Sequence, residues 1–557
     1  MDALILLRES IQSDLMLNFN HIVMKTTIKN LILFALIAIT DASCVGLDTT
    51  PYDRETDLTY WTEDPNAAVK ALNTCYTYLG SMDEQLYSEA MSDNAYTKQP
   101  NDYTQSIGNG SFSTADSYVK SVWNSRYAGI RLCNQLLENI DRVPKLDPDL
   151  KKRYIGEAKV IRAYHYYELY TKFGAVPYST KVLSISESQS IGRTDRATVV
   201  SNILSDLDEV INGNYLPTSY DADNKGRITR WAGMALKAKV YLFEGDWQQV
   251  KAITSSIMSE GGFSLFQSYA GLFEITNEYN PEVILDVQYR PTTREHHMMY
   301  AFLPPTLGGY SQLSPLQSLV DNYIMLDGKS IKEAGTSFDE NHPYDNRDPR
   351  LKATVMYTGN SYILSNGSEV VINCEKGEGK DGYGVTSDCT ATGYYLKKYW
   401  DNTYRASLYS GLNPILIRYA DILLMNAEAN AELGELDQTN WNATIKLIRQ
   451  RAGFKLASAL DFPATLSKDA LIEIVRNERR SELAMEGHRY KDIIRWKIAD
   501  KVMNGWCHGL KTNDVVGTDN GYLRVENRKF NANKHYLWPI PQAERDLNKN
   551  LVQNPNW

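Results

Sequence analysis

Glu473, Glu478, Arg479, Arg480, Glu482, Glu486, Arg489, Asp492 and Arg495 all fall within residues 468–496. Carboxylates spaced this way can serve a glycosidase, which needs an acid and a base or nucleophile flanking the scissile bond. Opposite charges three and four residues apart also stabilise a helix and bridge it to its neighbours. The alternation of sign favours that structural role. The other candidates for chemistry are thinner. His296 and His297 are adjacent, so neither a helix nor a strand aims both easily at one metal, and no HExxH occurs. Asp221, Asp223 and Gly226 echo the start of a calcium loop, but Lys225 fills a ligand position and Ala232 stands where the bidentate Glu belongs. A turn is the better reading there. GEGKDG at 377–382 matches GxGxxG, yet no apolar strand precedes it and no helix opens after it. GxSxG is absent, Gly328-Lys329-Ser330 lacks the earlier glycine of a P-loop, and no CxxC pair offers a zinc or redox site. Nothing activates a nucleophile or calls for a cofactor, so the expectation is a protein that catalyses nothing.

Binding is better supported. The chain has 37 Tyr and 10 Trp against 13 Phe, an excess of rings that carry a polar handle. Such rings suit half-wet surfaces and ligand platforms, although packing between helices accounts for most of them. A sugar presents apolar C–H faces and a rim of hydroxyls, so an exposed ring covers the face while Asn, Asp or Arg reads the rim. Two segments offer that mixture. Residues 92–117 read as a long polar loop between helices, and long loops inside domains tend to be functional. This loop supplies Asp93, Asn94, Tyr96, Asn101 and Tyr103. Residues 265–412 supply Arg290, Arg294, Tyr300, Tyr310 and Tyr323, with Trp400 further on. The ligand-binding set drawn from these is Asp93, Asn94, Tyr96, Asn101, Tyr103, Tyr310, Tyr323 and Trp400.

The elements that must position these residues are mainly helical. From about Asp64, with Pro65 in the first turn, Ala68, Leu72, Tyr76 and Leu79 form one apolar stripe. A helix follows over roughly Ser117 to Ile140. The next begins at Asp147-Pro148 and stops at Gly174, with Pro177 beyond it. Residues 236–253 read as helix, a tight turn at Gly245-Asp246, then helix. Asn413 to Gly453 repeats that arrangement around Gly434. Paired helices with small residues at their crossings mark tetratricopeptide-like repeats, and Ala238, Ala427 and Ala431 are the close-approach positions. Between these units, residues 265–412 lose helical periodicity and gain Gly, Pro, Tyr and short alternating runs. The fold class is therefore mainly α: tetratricopeptide-like helix pairs with an irregular, loop-rich capping region containing short strands.

A net charge of −9 with no basic stripe argues against nucleic acid as a partner. Lys25 and Lys29 precede a short apolar run, Leu31 to Ile39, and then Ala42-Ser43-Cys44. This describes a secretory signal over residues 24–43, since a spanning helix needs about 20 apolar residues. The site resembles a bacterial lipoprotein cleavage site with Cys44 as the acylated residue, although Asp41 stands where such sites usually carry Leu. Met24 is the natural start of this signal, and residues 1–23 read as a start-site extension. The mature body is then 44–557, soluble and tethered. Cys374 and Cys389 flank a Gly-rich stretch and are expected to be able to close a disulfide in an oxidising compartment. Cys75, Cys133 and Cys507 are expected to be free thiols.

Ordered segments along the chain resemble the SusD/RagB family of Bacteroidetes surface lipoproteins. They are LDTTPYD (47–53), WNSRYAGIRLCNQLLENI (123–140), GEAKVIRAYHYYELYTKFGAVP (156–177) and RDPRLKATV (347–355). Further on come LIRYADILLMNAEANAELGE (416–435), IRQRAG (448–453), ERRSELAMEGHRYKDIIRW (478–496) and WPIPQAERDLNKNLVQNPNW (538–557). The resemblance implies a surface-exposed, outer-membrane lipoprotein that binds a glycan or other nutrient and passes it to a SusC-like TonB-dependent transporter. It also implies that Arg162, Arg418 and Arg480 are buried ion partners rather than ligand contacts. The alternatives are a peptide or other-nutrient binder of the same fold, and a secreted glycoside hydrolase, which the missing catalytic constellation disfavours.

Overall fold

The computed structural model describes residues 23–27, 29, 57–98, 104–403 and 408–557. They belong to two compact units divided after Asp64. In the first unit the described residues include helical positions at 23–27 and 29 and the helix Asp57–Glu63. Cys44 and most of the signal segment lie outside the described residues.

The second unit, Pro65–Trp557, is mainly helical, as the chain as a whole is at about 47% helix. Its helices begin and end where local chemistry dictates. Asp147 accepts from the backbone N–H groups of Asp149 and Leu150 ahead of Pro148, starting the helix Pro148–Phe173, and Gly174 closes it at φ +73°. Thr229 caps Arg230–Glu244, Gly245 turns left-handed at φ +75°, and Asp246 caps Trp247–Glu260. Tyr419–Leu433 ends the same way at Gly434. Its partner is broken at Thr444 into Gln438–Ala443 and Ile445–Ala452, where the sequence suggested one helix. The first helix of this unit starts at Ala67, two residues later than Pro65 implied. Trp247–Glu260 packs on Tyr419–Leu433, which packs in turn on Lys468–Glu482. Ala238, Ala427 and Ala431 are buried, which lets the helix axes approach.

The region 265–412 carries short strands and helical turns, as expected, and its Phe302, Leu313, Tyr323 and Tyr362 share one apolar core with Met82, Leu86, Ala90 and Met485. Its strands pair antiparallel in twos. Val283–Asp286 pairs with Ile415–Arg418, Val355–Met356 with Tyr395–Leu396, and Ser361–Ile363 with Glu369–Val371. Cys374 and Cys389 are both buried free thiols, which corrects the disulfide expectation; Cys389 Sγ instead donates to the Lys380 carbonyl at 3.4 Å. A hairpin that the sequence reading did not foresee pairs Asn504–Lys511 with Tyr522–Lys529.

Most of the charged run at 468–496 is structural. Arg418 donates to Glu282, Glu482 and Glu486 at 2.6–2.7 Å. Arg350 meets Asp348, Glu478 and Glu482 at 2.7–2.9 Å. Arg479 joins Asp421 to Asp492, and Arg495 joins Asp492 to Glu428. Every one of these groups is buried, apart from the half-buried Arg495, whose side chain is only 3% exposed. Each carboxylate is matched by a guanidinium, which a buried charge requires. None of them is left as a free acid–base pair. Arg162 is likewise tied to Asp206 at 2.7 Å.

Candidate functional site

The two segments singled out as ligand displays meet in one ladder. Ala95–Thr97 pairs antiparallel with Leu313–Pro315, in the register Ala95↔Pro315, Tyr96↔Ser314 and Thr97↔Leu313. Residues 92–117 are therefore not the open loop expected; they hold this strand and the helical turn Gln105–Asn109.

At one end of the ladder a pair of tyrosines is presented to solvent. In the helical turn Met298–Phe302, Met298, Met299, Ala301 and Phe302 all enter the core. Only Tyr300 is left outside, 41% exposed. The chain then reverses through Pro304-Pro305 and two glycines. Gly308 adopts φ +83°, and a Cβ on Gly309 would lie 2.1 Å from the Leu303 carbonyl oxygen. Only glycine fits both positions. The reversal brings the Tyr310 N–H to the Tyr300 carbonyl at 2.9 Å and sets the two rings 4.2 Å apart at 48°. The hydrogen bond to Tyr310 also holds the Tyr300 hydroxyl above its ordinary pKa.

Lys98 fixes this corner. Its ammonium donates to the carbonyls of Tyr310, Ser387 and Cys389 at 3.0, 2.7 and 2.9 Å, and its own N–H reaches the Gln312 carbonyl. All three ammonium protons are thereby used, and three chain segments are pinned together. Burial pulls the Lys98 pKa down against the pull of Asp388. Thr306 N–H adds a bond to Asp381, whose carbonyl accepts from Tyr395. The result is a tilted aromatic pair on a braced backbone, with polar main chain around it. Such a surface can hold a ring with one apolar face by stacking, at little cost in ordering.

The remaining expected site residues fare differently. Asn101 and Tyr103 lie outside the described residues. Tyr96 is half-buried, with its hydroxyl 3.4 Å from Gln105. Asp93 and Asn94 are buried and engaged, which corrects their assignment as free hydroxyl readers. Arg489 grips both Asp93 oxygens at 2.8 and 3.0 Å, and Arg480 reaches Asp93 and Asn94. Burial opposes the Asp93 charge, but these two guanidiniums outweigh it and hold the carboxyl well below its usual range. Tyr323 is fully buried, because it follows Leu319 and Val320 into the core; it is not a platform. Trp400 packs on Tyr362 at the edge of that core and donates its indole N–H to the Ile363 carbonyl at 2.8 Å. The sequence reading missed Lys98, and nothing local marks it. His296 is buried against the Leu412 carbonyl, His297 lies against Tyr409, and no metal-ligating cluster occurs among the described residues.

Comparison with known proteins places this architecture. Two family models match in order: one described as starch-binding associating with outer membrane over residues 52–242, and the SusD family over residues 281–557. SusD-like protein P25 of Formosa agariphila is 26% identical over 453 residues, covering 78% of each chain. A SusD-like carbohydrate-binding protein from Bacteroides fragilis superposes with a TM-score of 0.79 at 28% identity, covering 89% of this chain and 100% of that one. A laminarin-binding SusD-like protein gives 0.66 at 25% identity, over 88% and 99%. Family models in sequence order and solved structures of the same architecture thus agree, and the chain belongs to the SusD family.

Proposed function

We propose that this protein is a lipid-anchored, surface-exposed saccharide binder that passes its ligand to a SusC-like TonB-dependent transporter in the outer membrane and performs no catalysis. The observation that carries the saccharide reading is the Tyr300–Tyr310 pair, exposed on one side and braced by Lys98 on the other. Relatives named for carbohydrate and laminarin binding support the ligand class. The description of the first family model supports the outer membrane. Acylation of Cys44 is the proposed anchor, since more than one acyl chain makes membrane retention stable. Tethering over a transporter mouth raises the effective ligand concentration there.

Calorimetric titration with laminari-oligosaccharides and starch oligosaccharides tests the site. Tyr300→Ala and Tyr310→Ala should each weaken binding by on the order of 1–3 kcal/mol, as stacking hot spots do. Melting should move little for Tyr300→Ala, because its ring is outside the core. Normal binding by both variants would remove the pair as the platform. For the anchor, Cys44→Ala should release the protein from the membrane fraction or block its maturation. A wild-type protein that carries no lipid mass at Cys44 would end that part of the proposal.

A further inference from the structure

At the other end of the same ladder, past Asp93 and Leu316, a cleft of 490 Å³ opens between Gln317–Asn322 and the hairpin strand Asn504–Lys511. That volume lies in the range of small-ligand sites. Its hairpin wall carries Trp506, 44% exposed, and the half-buried Tyr522. The Arg524 guanidinium rests 5.6 Å from the indole centroid. Arg524 is itself held by Asp519, which also takes His508 at 2.9 Å. An indole propped in this way is a ready stacking plate.

The floor is charged. Two guanidiniums share the single Asp93 carboxylate. Arg480 commits Nε to Asn94 and Nη2 to Asp93 and Ser318, and its Nη1 has no partner among the described residues. Of the lining side chains, Lys332, Arg480 and Arg528 stand against Asp93 and Asp321. The lining thus carries one more positive than negative charge, while behind it Arg489 and Glu526 brace the floor and Glu89, bonded to Asn94, acts on Arg480 and Arg489. The lining itself is therefore opposite in sign to a chain whose net charge is −9. Burial pulls the Arg480 guanidinium down to about 10, against the support of Asp93. An arriving anion would offset that desolvation.

We propose that this cleft is a second saccharide site, selective for a sugar bearing a carboxylate or a sulfate, with Trp506 stacking on the ring and Arg480 Nη1 receiving the anion. It shares with the proposed function only the premise that the ligand is a saccharide. Nothing in it requires the Tyr300–Tyr310 pair.

Titrating the intact chain with oligogalacturonate, a sulfated galactan oligosaccharide and a neutral laminari-oligosaccharide tests it. At least one acidic oligomer should bind, more weakly as salt is raised. Which acidic probe binds identifies the anion. Trp506→Ala should weaken that binding at least about tenfold without changing the melting temperature, as loss of an exposed stacking ring does. Lys332→Gln should weaken it a few-fold, and Tyr310→Ala should leave it unchanged. Loss of neutral-ligand binding in Tyr310→Ala, with acidic binding intact, separates the two sites. The inference is overturned if neither acidic oligomer binds the wild type, if Trp506→Ala binds it normally, or if the neutral oligomer competes for the Trp506 cleft equally well.

Discussion

Arg418→Ala is expected to destabilise the protein by about 3–5 kcal/mol, the usual cost of removing one partner from a buried ion group. The side chain is 1% exposed and donates to Glu282, Glu482 and Glu486. Its loss leaves three carboxylates in low dielectric with fewer cations to compensate them. Lys398 and Arg451 still contact Glu486 and Glu482, so the lattice is weakened rather than emptied. The measurement is the urea midpoint, read by far-UV circular dichroism. Lys181→Ala is the control, since the Lys181–Glu187 pair is solvent-exposed and its loss should not move the midpoint. An Arg418→Ala protein as stable as wild type would show that the lattice contributes nothing net.

The second large effect concerns acid. Burial alone would raise the carboxyls of Glu482, Glu486, Asp421 and Asp93, but their cationic partners outweigh it and hold all four low. A carboxyl depressed on folding adds stability above its unfolded value of about 4, and that stability disappears as pH falls through the folded value. Buried histidines act in the same direction over a higher window. His488 is lowered to about 3 and His296 to about 4 by burial, so below about 6.5 the unfolded chain takes protons that the folded one refuses. Acids raised by burial oppose them, the fully buried Glu157 among them. Burial raises Glu89 and Glu278 to about 7 and Asp286 to about 6. Their contribution is complete below about 4 and is lost as pH rises through 6–7. Between about pH 7 and 5 the two sets oppose each other, and the urea midpoint should change little. Below about pH 4 only the losses remain, and the fold should collapse steeply. A midpoint that stays level to pH 3 would contradict this account.

What could be read from the residues beforehand was whatever depends on near neighbours. The run from Asp147-Pro148 to Gly174, and the turn at Gly245-Asp246, carry their own start and stop signals within a few positions. The alternating charges at 468–496 foretold structural pairing because alternation is itself local. Burial of a particular tyrosine is not local. Tyr310 and Tyr323 sit in similar text, yet the Gly308-Gly309 reversal places one beside the exposed Tyr300 while the core takes the other. Asp93 and Asn94 looked like loop residues because the arginines that engage them come near the far end of the chain. The Lys98 clamp and the Trp506 cleft were invisible for the same reason: each is assembled from segments hundreds of positions apart.

That distance bears on when the protein becomes competent. Asp93 and the Arg489 that grips it are separated by 396 positions. Loop-closure entropy grows only slowly with length, at about 0.6 kcal/mol per doubling, so the delay is one of supply rather than of energy. While the chain emerges from its N-terminal end, the helix pairs can dock and Ala95–Thr97 can find Leu313–Pro315. The guanidiniums of Arg480 and Arg489 and the hairpin with Trp506 arrive only after nearly everything else has been made. Until then Asp93 is an unpaired carboxylate beside a half-built wall. The ladder therefore has an early end and a late one, and a chain cut short before Arg480 lacks the guanidiniums and the hairpin wall that make the cleft.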